Sequence, residues 1–423
     1  MAAAALAACG GGATGSGGGG GGGSNSLNVV LETQPWTTAL TPYIPQFEKQ
    51  TGIKVSVQSY SEEQSRNKIL VTLQSKSPGL DAYMSLPSLE GKQYSKAGYY
   101  QPLDSYAAKA PASWNVKDFN PAPLSGEKVG GKLIGIPINV EGPVIFYRTD
   151  LFAKYGISKP TTLDELVAAA KTIKEKSGGK IYGIAGRGLS PSVTYTLGPF
   201  FHNQGLSWLD SAGKPNFDKP GAVKAIDTYA TLIGKYGPPG VVNNNFTQSS
   251  ALFAQGRAGM ELDSTNELSS IDDPNSSQVA KNIGVLNIPP GPGGSHPTVL
   301  QWGLSMSPFS AHKDQAWKFI QWATSPQMQL KLALKGIASP RKSTASDASY
   351  KKTLDTPTRR QWSAALTTIL ATGTGEVGPP AVQEAEVRKL IGDSVDKVIL
   401  GQSTAAQAAA AIQKGLPALI GSK

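Results

Sequence analysis

Apolar and polar positions fall along this chain in short alternating blocks. LNVVLE (27–32) is a compact apolar run and predicts a buried strand. ALTPYIPQFEKQT (39–51) predicts a helix that stops at Gly52. IKVSVQSY (53–60) alternates and is β-branched, which predicts a second strand. Residues 62–76 form a helical pattern with Ile69, Leu70 and Leu73 on one face, and LDAYMSL (80–86) predicts a third strand. The order β-α-β-α-β predicts a parallel or mixed α/β sheet.

A second batch follows. GKLIGIPINVEGPVIFYRTDLFAKYGI (131–157) predicts a strand, a proline-marked irregularity and the strand VIFYR. TTLDELVAAAKTIKEKSGG (161–179) is the clearest helix: Thr162 and Glu165 stand as a capping box, and Gly178 and Gly179 stop it. IYGIAGR (181–187), RAGMELD (257–263), NIGVLNIP (282–289) and LQWGLSMSP (300–308) predict strands. Residues 219–236, 247–256 and 312–335 predict helices, and helices dominate after about residue 358. The two batches are bridged by residues 136–145 and again near 297–303. Two α/β lobes joined by crossing strands leave a cleft, a preferred place for a small ligand.

Composition bounds this reading. The 423 residues are 39% hydrophobic and 17% charged, a globular balance with room for two domains. No run of about 18 apolar residues predicts a membrane span. The single cysteine, Cys9, excludes an internal disulfide and a cysteine-based zinc site. Net charge is +10, but Lys and Arg are scattered, with no block of five like charges and no nucleic-acid signature. The basic balance is therefore assigned to a solvated surface, and no nucleic-acid partner is expected.

Catalytic patterns are missing. There is no GxxxxGK[ST] loop, no GxSxG and no HExxH, and GRGLSP (186–191) lacks the third glycine of a dinucleotide fingerprint. His202, His296 and His312 are widely spaced, so no metal site is expected. The acidic pairs Glu62-Glu63 and Asp272-Asp273 are expected to be solvated. A glycosidase needs two facing carboxylates, and nothing singles out such a pair. No cofactor is expected.

The first 26 residues are not fold. Leu6-Ala7-Ala8-Cys9 resembles a bacterial lipobox, in which the cysteine is lipidated and becomes the new N-terminus. Gly10 to Ser26 would then be a flexible tether of about 20–25 Å.

Longer stretches carry a wider resemblance. FEKQTGIKVSV, GKLIGIPINVEGPVIFYRTDLFAKYGISKPTTLDELVAAAKTI, ALFAQGRAGMELD and LSMSPFSAHKDQAWKFIQWATSPQMQLKL resemble extracellular solute-binding proteins of ABC importers. The resemblance is to the sugar-binding branch that includes maltose-binding protein, over about 27–423. DDPNSSQVAKNIGVLNIPPGP and PRKST (340–344) resemble its polyol-binding subgroup. The resemblance implies a two-lobed, type II-like periplasmic-binding-protein fold of the α/β class. Lobe I would hold residues 27–138 plus 303–345, and lobe II residues 139–302 plus 346–423. It also implies a monomer in the cell envelope, lipid-anchored to the cytoplasmic membrane through Cys9. Such a protein hands a sugar or polyol to ABC permease subunits.

Carbohydrate sites combine aromatic faces with planar polar groups. Trp36 and Tyr60 follow the first two strands at the edge where open α/β sheets bind ligands. Glu141 falls on the first crossover, either as a ligand contact or in a hinge salt bridge, and Asn139 is its neighbour. Arg187 and Asp263 end strands facing the expected cleft, and Tyr195 or Phe200 would line it. Trp302 and Gly303 sit on the second crossover, where the resemblance implies a stacking platform. Arg341 follows a helix end near the hinge. Ser85 and Ser88 would bond a ligand hydroxyl or cap the next helix. Trp208, Trp317, Trp322 and Trp362 are assigned to packing. Two alternatives stay open. Arg187 with Arg341 would hold an acidic or sulfonated sugar, and a different class is a secreted carbohydrate-active enzyme.

Overall fold

The computed structural model describes residues 25–421; Cys9 and the glycine-rich segment after it lie outside them. In chain order the strands are β1 (Ser26–Glu32), β2 (Lys54–Tyr60), β3 (Ala82–Ser85), β4 (Lys128–Val129), β5 (Lys132–Leu133) and β6 (Gly135–Glu141). Then come β7 (Pro143–Arg148), β8 (Ala185–Gly186), β9 (Met260–Ser264), β10 (Ile283–Asn287) and β11 (Leu300–Met306). One sheet has the order β2-β1-β3-β11-β6 and a second the order β10-β7-β9-β8; β4 and β5 form a small hairpin. β1 pairs in parallel with β2 and β3, as the β-α-β-α-β pattern predicts, while β11 runs antiparallel to β3 and β6. The alternation along β1 explains its place: Leu27, Val29 and Leu31 enter one core cluster, and Val30 enters another across the sheet.

The crossovers are short. β6 and β11 keep their ladder with the first sheet as far as Glu141 and Leu300, which are paired partners. The boundaries expected at 138/139 and 302/303 therefore fall inside strands of that sheet. The chain passes to the second sheet at Gly142 and returns between β10 and β11. A Cβ at Gly142 would stand 2.7 Å from the Thr298 carbonyl oxygen and 2.6 Å from Ile369 Cγ2, so the two passages pack closely only because this residue is glycine.

Helices follow local signals. The helix Leu163–Lys176 begins at the expected capping box: Thr162 Oγ1 accepts from Glu165 N, and Glu165 Oε2 accepts from Thr162 N. The stretch 312–335 is not one helix. It breaks into Lys313–Ala323 and Pro326–Ala333, because Pro326 cannot continue a helix and Ser325 caps a new one. The strand expected at 181–187 shrinks to Ala185–Gly186, since Gly183 N turns aside to Tyr236 O. The C-terminal helices Glu384–Ile399 and Ala405–Ile420 bury Val387, Ile391, Val395, Ile412 and Leu416 in the core of the second lobe. The helix Pro357–Thr372 covers β7 and β10 through Trp362 and Ile369. Among the described residues no helix is long and apolar enough to cross a membrane.

Candidate functional site

A chamber lies where the lobes meet beside the crossovers. It is nearly closed, with a cavity volume of about 20 Å³. The first lobe contributes Glu32, Gln34, Pro35, Glu62 and Leu86, and the second contributes Arg187, Tyr195, Phe246, Ser264 and Arg388. Glu141 and Trp302 come from the two crossing strands. Past Pro35 and Phe246 the chamber meets a wider groove lined by Thr33, Thr38, Thr247 and Ser269.

Glu141 is held by donors from both lobes. Trp302 Nε1 donates to Oε1 at 2.8 Å, while Ser264 Oγ and Asn266 Nδ2 donate to Oε2 at 2.5 and 2.7 Å. Burial still raises this carboxyl above its ordinary value, against those hydrogen bonds. The Trp302 ring carries the Arg66 guanidinium 5.6 Å from its centroid. It walls the chamber on one side and a smaller space lined by Arg66, Met84, Glu90 and Tyr94 on the other.

The arginines are already engaged. Arg187 donates Nε to both oxygens of Asp263 at 3.1 Å and Nη2 to Oδ1 at 2.7 Å. Its guanidinium lies 4.7 Å from the Tyr195 ring centroid and 5.2 Å from that of Phe246. Burial would lower Arg187, but Asp263 and then Glu62 raise it instead, so it stays charged. Glu62 stands 3.4 Å from Arg388, 3.6 Å from Arg66 and 3.9 Å from Arg187. Burial would raise Glu62, but Arg388, Arg66 and Arg187 outweigh it and hold its carboxyl at about 2. Glu32 goes the other way: burial and then Glu62 raise it well above the carboxylate range.

A proton is shared at the second lobe's edge. Ser250 Oγ lies 2.5 Å from Glu261 Oε1 and 2.7 Å from Glu267 Oε2. A hydroxyl has one hydrogen to donate, so one of the carboxyls must itself be protonated. Burial and then Asp263 push Glu267 up to about 8.

Of the residues expected from the sequence, Glu141, Arg187, Tyr195 and Trp302 line the chamber. Asp263 does not; it is fully buried beneath Arg187 and positions it. Asn139, opposite Trp302, is fully buried in the ladder and its amide has no partner among the described residues. Gly303 serves packing, since a Cβ there would stand 2.2 Å from Glu127 Oε2. Trp36 is fully buried in the first lobe, because the helix Pro35–Leu40 starts one residue earlier and turns the ring into the core. Gln34 and Pro35 line the chamber in its place. Tyr60 ends the edge strand β2, away from the crossovers, and donates to Gln58. Arg341 is a staple inside the first lobe: it donates to Thr324 O at 2.7 Å and Asp118 at 3.1 Å, and lies 3.9 Å from the Phe119 ring centroid. Ser85 bonds Ser305, Ser88 is exposed, and Phe200 is core.

Sequence reasoning missed Glu62, Phe246 and Arg388. Glu62 is buried rather than solvated, because arginines of both lobes close on it. Phe246 had a local signal, the Asn245/Gln248 capping box that starts its helix. Arg388 had none. Among the described residues no cluster of three His, Cys, Asp or Glu could hold a metal ion.

Residues 32–330 match the family described as "Bacterial extracellular solute-binding protein". The chain is 29% identical over 252 residues to a mannitol-binding protein of Pseudomonas aeruginosa, covering 57% of this chain and 56% of that one. It is 26% identical over 358 residues to an erythritol/L-threitol-binding protein of Mycolicibacterium smegmatis, covering 78% and 72%. The match thus spans little more than half of the mannitol-binding protein's length. Among solved structures, an ABC transporter solute-binding protein of Agrobacterium radiobacter in complex with ribitol superposes with a TM-score of 0.83. Identity is 26%, with 92% of this chain and 97% of that one covered. One from Agrobacterium vitis with bound D-mannitol gives 0.81 and 27%, covering 92% and 96%. The fold is the two-lobed one of these proteins.

Proposed function

This chain belongs to the bacterial extracellular solute-binding protein family, and from that premise we propose that it captures an uncharged sugar alcohol or sugar between its lobes and delivers it to the permease subunits of an ABC importer. The observation that carries the reading is the chamber itself. An indole, a tyrosine and a carboxyl acceptor converge there from both lobes, and each arginine is already matched to a carboxylate. Indole and phenol faces suit the C–H face of a polyol, and Glu141 and Glu267 offer acceptors for its hydroxyls. The ribitol and mannitol held by the related structures support the same class. A ligand touching both lobes binds only the closed form, so binding shifts the population toward closure.

Arg341 gives the acidic-sugar alternative no support, because it lies away from the chamber and donates to Thr324 O and Asp118. The enzyme alternative is set aside, since the family is one of binding proteins. The protein would act as a monomer at the outer face of the cytoplasmic membrane. A lipid on Cys9 would keep it near the permease at high effective concentration.

A thermal-shift screen with ribitol, mannitol, neutral sugars and sugar acids tests the reading. Polyols or neutral sugars should raise Tm by mass action. Stabilisation by none of them would refute it. For the anchor, Cys9→Ser in the full precursor should move the protein from membrane to soluble fractions, and retention in the membrane would exclude lipidation there.

A further inference from the structure

Glu62 enters the chamber from the lobe opposite Arg187 and Arg388, two of the three arginines it meets. It opens the helix Glu62–Gln74, which packs on the first sheet. Arg388 stands on the C-terminal helix Glu384–Ile399 of the second lobe, and Arg187 follows β8 of the second sheet. All three side chains are less than a tenth exposed. Oε1 of Glu62 faces Arg388 Nη2 at 3.4 Å and Oε2 faces Arg187 Nη1 at 3.9 Å. Two guanidinium groups sharing one carboxylate is how a protein holds a ligand's carboxylate or sulfonate. Here the chain supplies that carboxylate itself, and from the other lobe, so it arrives when the lobes come together.

We propose that Glu62 is a specificity-determining residue: on closure it fills the anion position between Arg187 and Arg388, so the closed site accepts uncharged polyhydroxyl ligands and rejects carboxylated or sulfonated ones. The choice of polyols as the accepted class rests on the function proposed above. An acidic ligand would find Arg187 forked onto Asp263 and Arg388 turned to Glu62 and Glu384. It would also meet the ionised Glu62 carboxylate itself on the chamber wall. Like charges brought together in a desolvated site are repelled strongly enough to exclude a ligand. Arg66, which also faces Glu62, is paired with Glu90 at 2.9 Å.

The test compares the full chain with Glu62→Gln by titration calorimetry against mannitol, gluconate and glucuronate. The parent should bind no acid. E62Q removes the charge that holds this side chain between the two guanidinium groups, so a ligand's anion can displace the neutral amide, and acid binding should rise by about tenfold or more, weakening with salt. Adding Arg388→Gln should abolish that gain. A merely structural role for Glu62 predicts losses, never a new ligand class. A folded E62Q with no affinity for acids overturns the proposal, and so does a parent that binds gluconate as tightly as mannitol. The parent's own preference decides the matter if E62Q fails to fold. An E62Q that gains acids while the parent binds no polyol would keep the filter and remove the polyol reading.

Discussion

Trp302 is the residue on which the site reading can be tested most directly. Its side chain does two separable things: the ring walls the chamber, and Nε1 donates to Glu141 Oε1 at 2.8 Å. Trp302→Phe keeps an aromatic face and removes the donor. Glu141 then loses the donor seen on Oε1, while Ser264 and Asn266 remain on Oε2. A buried hydrogen bond of this kind contributes about 1 kcal/mol. Trp302→Ala removes the ring as well, and truncating a buried aromatic anchor weakens binding by about 1–3 kcal/mol, a factor of about 5 to 150 in Kd. The expected order is parent, then Phe, then Ala. Calorimetric titration with the best-stabilising polyol reads it, and circular dichroism establishes that each variant is folded. A folded Trp302→Ala with the parent's Kd would remove Trp302 from the site. Equal losses for Phe and Ala would leave the indole N–H important and the stacking face irrelevant.

Two further predictions concern the groups around it. Asp263→Asn leaves Arg187 buried without its fork of three contacts at 2.7–3.1 Å. Breaking such a pair from one side should destabilise the protein by about 3 kcal/mol in urea unfolding, and a loss under about 1 kcal/mol would show the pair to be dispensable. Glu267 sits near 8, above the value of about 4.3 for an unfolded glutamate. The folded state therefore binds the extra proton, and its stability declines as pH rises from about 4.3 toward 8. Glu267→Gln should flatten that decline in Tm measured from pH 5 to 8; superimposable pH profiles would show that Glu267 does not hold the proton.

Much of the fold was legible because it is local. The apolar run of β1, the capping box at Thr162 and the stop at Gly52 each state their element within a few residues. The placement of Glu141 and Trp302 on crossovers also came from contiguous sequence, since a crossing strand next to a cleft exposes its end to it. Small displacements decided the nearby errors. Pro35 starts a helix at once, so Trp36 rotates into the core and Gln34 and Pro35 reach the chamber.

Only the tertiary structure decided which charges belong to the site. Hydrophobic periodicity marks a buried face, but a charged side chain is buried by its partners, and these come from anywhere in the chain. Glu62 and Arg388 stand 326 residues apart, and neither has a local pattern that separates it from a solvated surface charge. Arg341 looked as suitable as Arg187 until Asp118 and Phe119 were seen to enclose it. The sequence by itself determined two α/β lobes and the strands that join them. Which carboxylate meets which arginine depended on how those lobes close, because desolvated charge is tolerated only where an opposite charge arrives with it.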